Sequence, residues 1–377
     1  MEAQRELFDI PEDVAYLNCA YLSPQLRSVD AAGRAALDAV ARPWEVAPRD
    51  FFSGAETARE CFAALIGGDA DGVCVTPSVS YAIALAARNV VVGPGETVVV
   101  LAQQFPSNVY EWRDAAARAG GRVVTVPRPE DSAWTRAVLD RIDADTAVVA
   151  VPNCHWTDGT VVDLVRVGEA ARAVGAALVV DATQSLGARP LDVGAVQPDF
   201  LATTVYKWML GPFSLGFCWV APRLRDGEPL ERNWITRAGA EDFAGLVEYA
   251  DAFAPGARRY DMGERSNFTT LPMAIAAIDQ ILDWGVAEIE SYAGTLTDEI
   301  AAGAAGLGWE LAPAGSRARH MVGLRRPGGI PEKLPGMLKD AGVYVSVRGD
   351  SIRVSPHVYN TPDDVARLLD VLATAPG

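Results

Sequence analysis

The chain is poor in cysteine and has no apolar run as long as a membrane span. Its five cysteines, Cys19, Cys61, Cys74, Cys154 and Cys218, form an odd, scattered set without a C-x-x-C pair, which argues against a disulfide framework and against a metal site. The N-terminus, MEAQRELFDIPED, lacks the basic start and apolar core of a signal or transit peptide, so a cytoplasmic location is expected. Positive charge is in deficit: Lys and Arg total 33 against 49 Asp and Glu, a formal net charge of −16 that disfavours nucleic acid and anionic membranes as partners. There is no internal repeat and no low-complexity tract. A G-x-G-x-x-G after an early strand is also missing, so a nucleotide-binding Rossmann enzyme is supported by βα alternation alone.

What is present is a chain of 377 residues, half of them hydrophobic, long enough for a large core and two domains. The stretch Ala177 to Lys207 organises the rest. ALVV reads as a short buried strand of a parallel sheet, and Asp181 stands at its end, where ligands bind in open α/β sheets. Asp199 to Thr204 reads as a second strand that runs into Tyr206 and Lys207. An acid at one strand end and an amine at the next suit pyridoxal phosphate (PLP), which needs a lysine for its Schiff base and an acid to keep its pyridine nitrogen protonated. Taken singly, Asp181 could cap a turn and Lys207 could be solvated. The apolar neighbours Trp208, Met209 and Leu210, however, would lower the pKa of an ammonium, as an amine nucleophile requires.

DATQSLGA followed by TTVYKWMLGPFSLGFCWV resembles the cofactor core of the class V aminotransferase family of PLP enzymes, which includes cysteine desulfurases, kynureninases and isopenicillin N epimerase. The resemblance implies a fold-type I α/β architecture, with a large PLP-binding domain on a mostly parallel sheet and a smaller α+β domain. The boundaries read as 14–285 for the first and 286–377, with 1–13, for the second. It also implies a homodimer with active sites at the subunit interface.

Residue by residue, the resemblance makes Lys207 the Schiff-base lysine and the base at Cα, and Asp181 the partner of the pyridine nitrogen. Gln184 contacts the ring oxygen. Thr76-Pro77-Ser78 supplies an N-cap hydroxyl and a proline suited to the first helical turn, so a helix with outward-pointing amides, an anion site, should begin there. Val79, Ser80, Thr204 and Tyr206 fall on phosphate-binding positions. Phe105, in FPSNVY, is either a core aromatic or, by the resemblance, a plate stacked on the pyridine ring where desulfurases carry a histidine. Asn18 and Ala20, after the strand-like VAYL, form one wall of the substrate pocket. His155 and Trp156 lie in the loop after the strand Ala147 to Asn153; His155 is either hydrogen-bonded scaffold or a site residue, and Trp156 a pocket-lining candidate. Ser266 and Asn267 belong to a segment that in relatives reaches the partner subunit's cofactor phosphate. Arg353, in SIRVSPHVYNT, matches the arginine that holds the substrate α-carboxylate as a bidentate pair.

The activity implied is that of a PLP-dependent enzyme acting on an α-amino acid through a Schiff base on Lys207, by transamination or β-elimination. The alternatives are an epimerase or a non-catalytic PLP-binding protein. Desulfurase relatives carry a cysteine on a mobile loop shortly before the carboxylate-binding arginine. The corresponding stretch here, GVYVSVRGDSIR from Gly342 to Arg353, has no cysteine and is too short for such a loop, so sulfur transfer to the protein is not expected.

Overall fold

The computed structural model describes residues 1–375; the last two residues of the expected small domain, 376–377, lie outside them. Twelve strands follow in chain order: β1 Ala15–Tyr16, β2 Val73–Thr76, β3 Thr97–Leu101, β4 Arg122–Val126, β5 Thr146–Pro152, β6 Ala177–Asp181, β7 Phe200–Thr204, β8 Gly216–Val220, β9 Val322–Leu324, β10 Val343–Tyr344, β11 Ser346–Arg348 and β12 Ser351–Val354. Seven of them form one sheet in the order β2-β8-β7-β6-β5-β3-β4. Only β8 runs against its neighbours, β7 and β2; the other pairings are parallel.

The strands are apolar on both faces because helices cover both. Val180, Val149 and Leu201 face one core, while Val179, Val148 and Ala202 face the other, as the period of two along a strand demands. The long helices Arg27–Val40, Asp50–Ile66 and Thr270–Trp284 pack together on the first side. β4 is at the sheet edge, and its residues from Arg122 to Thr125 remain partly exposed.

A second, smaller layer contains the antiparallel sheet β11-β12-β9 and the parallel pair β1-β10. Helices Val286–Gly306 and Pro362–Thr374 cover it through Ile300, Ala304, Val365 and Leu368. Ala15 and Leu17 sit in this same core, with Ala15 paired to Val343. The VAYL strand, read from sequence as the start of the large domain, therefore packs with the C-terminal layer.

Several elements are shorter than the sequence suggests. The strand expected at Trp309 to Ala312 is a single bridge between Glu310 and Arg325. The crossover helix expected from Thr160 begins at Leu164, where the Asp163 carboxylate accepts from Val165 and Arg166 N–H. Ser78 is the N-cap of the Val79–Asn89 helix, so Pro77 lies outside the first turn rather than in it. Among the described residues, no helix is long and apolar enough to cross a membrane.

Candidate active site

Beyond the carboxyl ends of the parallel strands lies a cavity of about 280 Å³, continuous through Phe105, Trp156, Gln184, Tyr206 and Lys207 with a second of about 320 Å³. Its floor comes from β6 and β7. These strands pair with Asp181 opposite Ala202, so the ends that carry Asp181 and Thr204 lie side by side. Asp181 is buried and its Oδ1 accepts the Thr183 N–H at 3.0 Å. Burial pushes its carboxyl above the usual range, while Thr183 and Lys207 pull it back.

Lys207 is 6% exposed and lines both cavities. Its Nζ lies 5.5 Å from the ring centres of Phe105 and of Tyr206. Burial lowers its pKa from 10.5 to about 8, with Asp181 resisting and the charges of Arg353 and Arg348 adding to the fall. An ammonium flanked by aromatics and by two guanidiniums is thus readily deprotonated.

The opposite end of the first cavity is the N-terminus of the Val79–Asn89 helix. Ser78 Oγ accepts from Tyr81 N–H at 3.2 Å and lies 2.9 Å from Ser80 Oγ, while Val79 and Ser80 line the cavity with their backbone at the positive end of the helix dipole. Thr204 and Thr183 border the same space, and their buried hydroxyls have no hydrogen-bond partner among the described residues. These features fit PLP: hydroxyls and a helix N-terminus for a phosphate, a carboxylate for a ring nitrogen, an amine for an aldehyde and an aromatic plate in Phe105. Trp156 meets Phe105 edge-on at 5.4 Å and is anchored by its Nε1–H to the Gln103 carbonyl. Gln184 lines the cavity, donating to the Ala20 carbonyl at 3.2 Å and accepting from Trp208 Nε1–H at 3.0 Å.

The second cavity is bounded by Ala20, Tyr21, Arg348 and Arg353. Arg353 is 1% exposed; its Nη1 donates to the Trp156 carbonyl at 2.7 Å, and among the described residues its Nε and Nη2 have no partner. Nε–H and Nη2–H form one edge of the planar guanidinium, the arrangement that matches a carboxylate. A buried cation without a counter-ion is costly, and an anion on that edge would offset the cost.

Four sequence-derived site residues are not part of these walls. His155 is fully buried, but both ring nitrogens are engaged, with Thr157 Oγ1 at 2.8 Å and the Ala102 carbonyl at 3.1 Å, and its ring stacks on Trp134. Burial lowers its pKa to about 4, so it braces a loop as a neutral ring. Asn18 accepts from Ser346 Oγ at 2.8 Å and so supports the β11-β12 hairpin instead of touching the cavity. Ser266 donates to the Phe51 carbonyl, and Asn267 Oδ1 accepts from Thr270 N–H at the start of a helix; neither borders the cavity of its own chain. Tyr21, Thr183, Phe213 and Arg348 were not singled out as primary site residues, although GPFS after the lysine was a visible turn signal for Phe213.

The fold and this donor set define a fold-type I PLP-dependent enzyme acting on an α-amino acid. The chain belongs to the Aminotransferase class-V family, which it matches over residues 38–368. An uncharacterized aminotransferase, YcbU, of Bacillus subtilis (strain 168) is 30% identical over 84% of this chain and 83% of its own. The fold matches the apo structure of a cysteine desulfurase from Thermococcus onnurineus NA1, with a TM-score of 0.86, 20% identity and 99% and 98% of the two chains covered. It also matches a C-DES mutant with glycine covalently linked to its PLP cofactor, with a TM-score of 0.88, 18% identity and coverage of 99% and 100%.

Proposed function

We propose that this enzyme catalyses transamination or β-elimination on an α-amino acid whose carboxylate is held by Arg353. The observation that carries the reading is a single connected space bordered by Lys207, with its pKa near 8, and by the free Nε–Nη2 edge of Arg353. When bound, PLP supplies an electron sink that acidifies the substrate Cα–H. Lys207 would hold the cofactor in the resting enzyme and, once freed, would take the Cα proton on Nζ; Asp181 would keep a proton at the ring nitrogen. Gln184 would meet the ring oxygen, Phe105 would stack on the ring, and Val79, Ser80, Thr204 and Tyr206 would hold the phosphate. Trp156 orients Arg353 through its carbonyl.

The enzyme acts as a cytoplasmic homodimer, with 14–285, less the VAYL strand that packs with the C-terminal layer, as the cofactor-binding domain and the remainder as the small domain. Tyr21, Leu22, Tyr110 and Phe213 support the dimer, since all four are apolar and exposed and three border the cavities. In the dimer, Ser266 and Asn267 would help hold the partner subunit's cofactor phosphate.

Sulfur transfer to the protein has no support. Arg348 and Ser351 pair across a two-residue turn, so no loop precedes Arg353. Burial raises the thiols of Cys19, Cys61 and Cys154 to about 12. Incubating the enzyme with cysteine and a panel of amino acids, with assay of keto acids and of protein-bound persulfide, tests the reading. Pyruvate or a keto acid without persulfide supports it and names the branch; persulfide formed at catalytic rate and lost on mutating one cysteine overturns it. Racemised substrate without keto acid would favour the epimerase alternative, and no turnover of any amino acid a non-catalytic PLP-binding protein.

A further inference from the structure

Arg353 is one of two guanidiniums at the substrate end. In the β11-β12 hairpin, Ser346 pairs with Arg353 and Arg348 with Ser351. Residues two apart on a strand share a face, and so do directly paired residues, so Arg348 and Arg353 project from the same face of the hairpin as diagonal neighbours, with Cα atoms roughly 7–8 Å apart. The turn between the strands has only two residues, and Gly349 at φ 59° takes its left-handed position. This holds the two Cα positions in fixed relation.

Both arginines border the second cavity, and among the described residues no carboxylate lines it. Asp350, the nearest acid in sequence, is taken by Arg325 at 3.2 Å. Arg348 spends one N–H on the carbonyl of its own neighbour Val347, and its buried Nε has no partner among the described residues. Its guanidinium lies 5.7 Å from the Trp156 ring centre and 5.9 Å from that of Tyr21, between two walls of the cavity. Two like charges this close disfavour each other, and an anionic group entering beside them relieves that repulsion. The α-carboxylate of a substrate satisfies one of them.

We propose that Arg348 is a specificity-determining residue that binds a second anionic group on the substrate side chain, so that the preferred substrates are α-amino acids carrying a distal carboxylate, sulfinate or sulfonate. This rests on the reading of the site as an amino-acid enzyme with Arg353 on the α-carboxylate. The aromatic walls accept a thioether or methylene linker between the two anionic ends.

The test compares near-isosteric pairs on the holoenzyme: S-carboxymethylcysteine against its amide, and glutamate against glutamine, scored by kcat/KM and by the dissociation constant from cofactor absorbance. The carboxylate of each pair should be preferred at least tenfold. Arg348→Gln should lower that ratio at least tenfold, whatever it does to either compound alone, and Arg348→Glu should turn the preference toward S-(2-aminoethyl)cysteine. A wild-type ratio near one, as would follow if a partner subunit's carboxylate covered Arg348, overturns the proposal. So does a variant in which both members of a pair lose equally. Absence of any absorbance response to every amino acid would overturn the underlying reading and this one with it, a pattern distinct from a response that lacks charge preference.

Discussion

Trp208 donates its indole N–H to Gln184 Oε1 at 3.0 Å, and this fixes which end of the Gln184 carboxamide is the acceptor. An indole nitrogen can only donate, so the amide nitrogen must be the end that meets the Ala20 carbonyl, leaving its second N–H as a donor. Trp208→Phe keeps a flat apolar ring against His320 but removes this constraint. The variant should bind PLP about 2- to 10-fold more weakly, equivalent to ~0.5–1.5 kcal/mol for one hydrogen bond. Titration of apoenzyme with PLP measures it. In the double variant with Gln184→Ala the two losses should not add, because both act through one carboxamide; additive losses would deny the link.

Replacing Arg353 by Lys should raise KM for amino-acid substrates while PLP stays bound. A single ammonium cannot reproduce two parallel hydrogen bonds, nor the third bond that ties Nη1 to Trp156. A loss on the order of 1.5–3 kcal/mol corresponds to roughly one to two orders of magnitude in KM. Steady-state kinetics with a slow substrate decide the matter, and an unchanged KM would move the carboxylate site elsewhere. Arg237, Arg258 and Arg348 would be the next arginines to consider. Arg258 is committed to Glu56 and Asp71, and Arg237 to the Asp251 carbonyl, which leaves Arg348.

The amine of Lys207 should titrate near pH 8 in the PLP-free protein. Below that pH it is protonated and unreactive toward acylating reagents; above it, the free amine is labelled. The chain has only two other lysines, Lys333 and Lys339, so peptide mapping isolates the signal. Arg353→Ala should raise the midpoint by removing a like charge, and Asp181→Asn should lower it by removing the carboxylate that favours the ammonium. The folded-state pKa lies below 10.5, so between pH 8 and 10.5 the unfolded chain binds more protons at this lysine, and its contribution to stability rises with pH in that window. A midpoint near 10.5, or shifts of the opposite sign, would contradict the assigned environment.

The pair Asp181 and Lys207 was legible because each directly follows an apolar strand, and short apolar strands ending in a polar residue mark the ligand edge of a parallel sheet. His155 also follows a strand, yet its ring is turned away from the cavity onto Thr157, the Ala102 carbonyl and Trp134: position along the chain says where a backbone goes, not which way a side chain turns. Its stacking partner, Trp134, lies 21 residues upstream in another element, beyond the reach of local pattern. The second cavity was harder still, since Tyr21, Trp156, Phe213 and Arg348 come from four segments joined only by the folded topology. Likewise β1 pairs with β10, more than 300 residues away, so hydropathy could show an apolar strand but not which layer receives it.

The central claim, that Lys207 carries the cofactor, is tested by reducing the PLP-loaded enzyme with borohydride and mapping the modified peptide. The account predicts one adduct per chain on Lys207, absent from Lys207→Ala. An adduct on Lys333 or Lys339, or a protein that takes up no PLP, would contradict it.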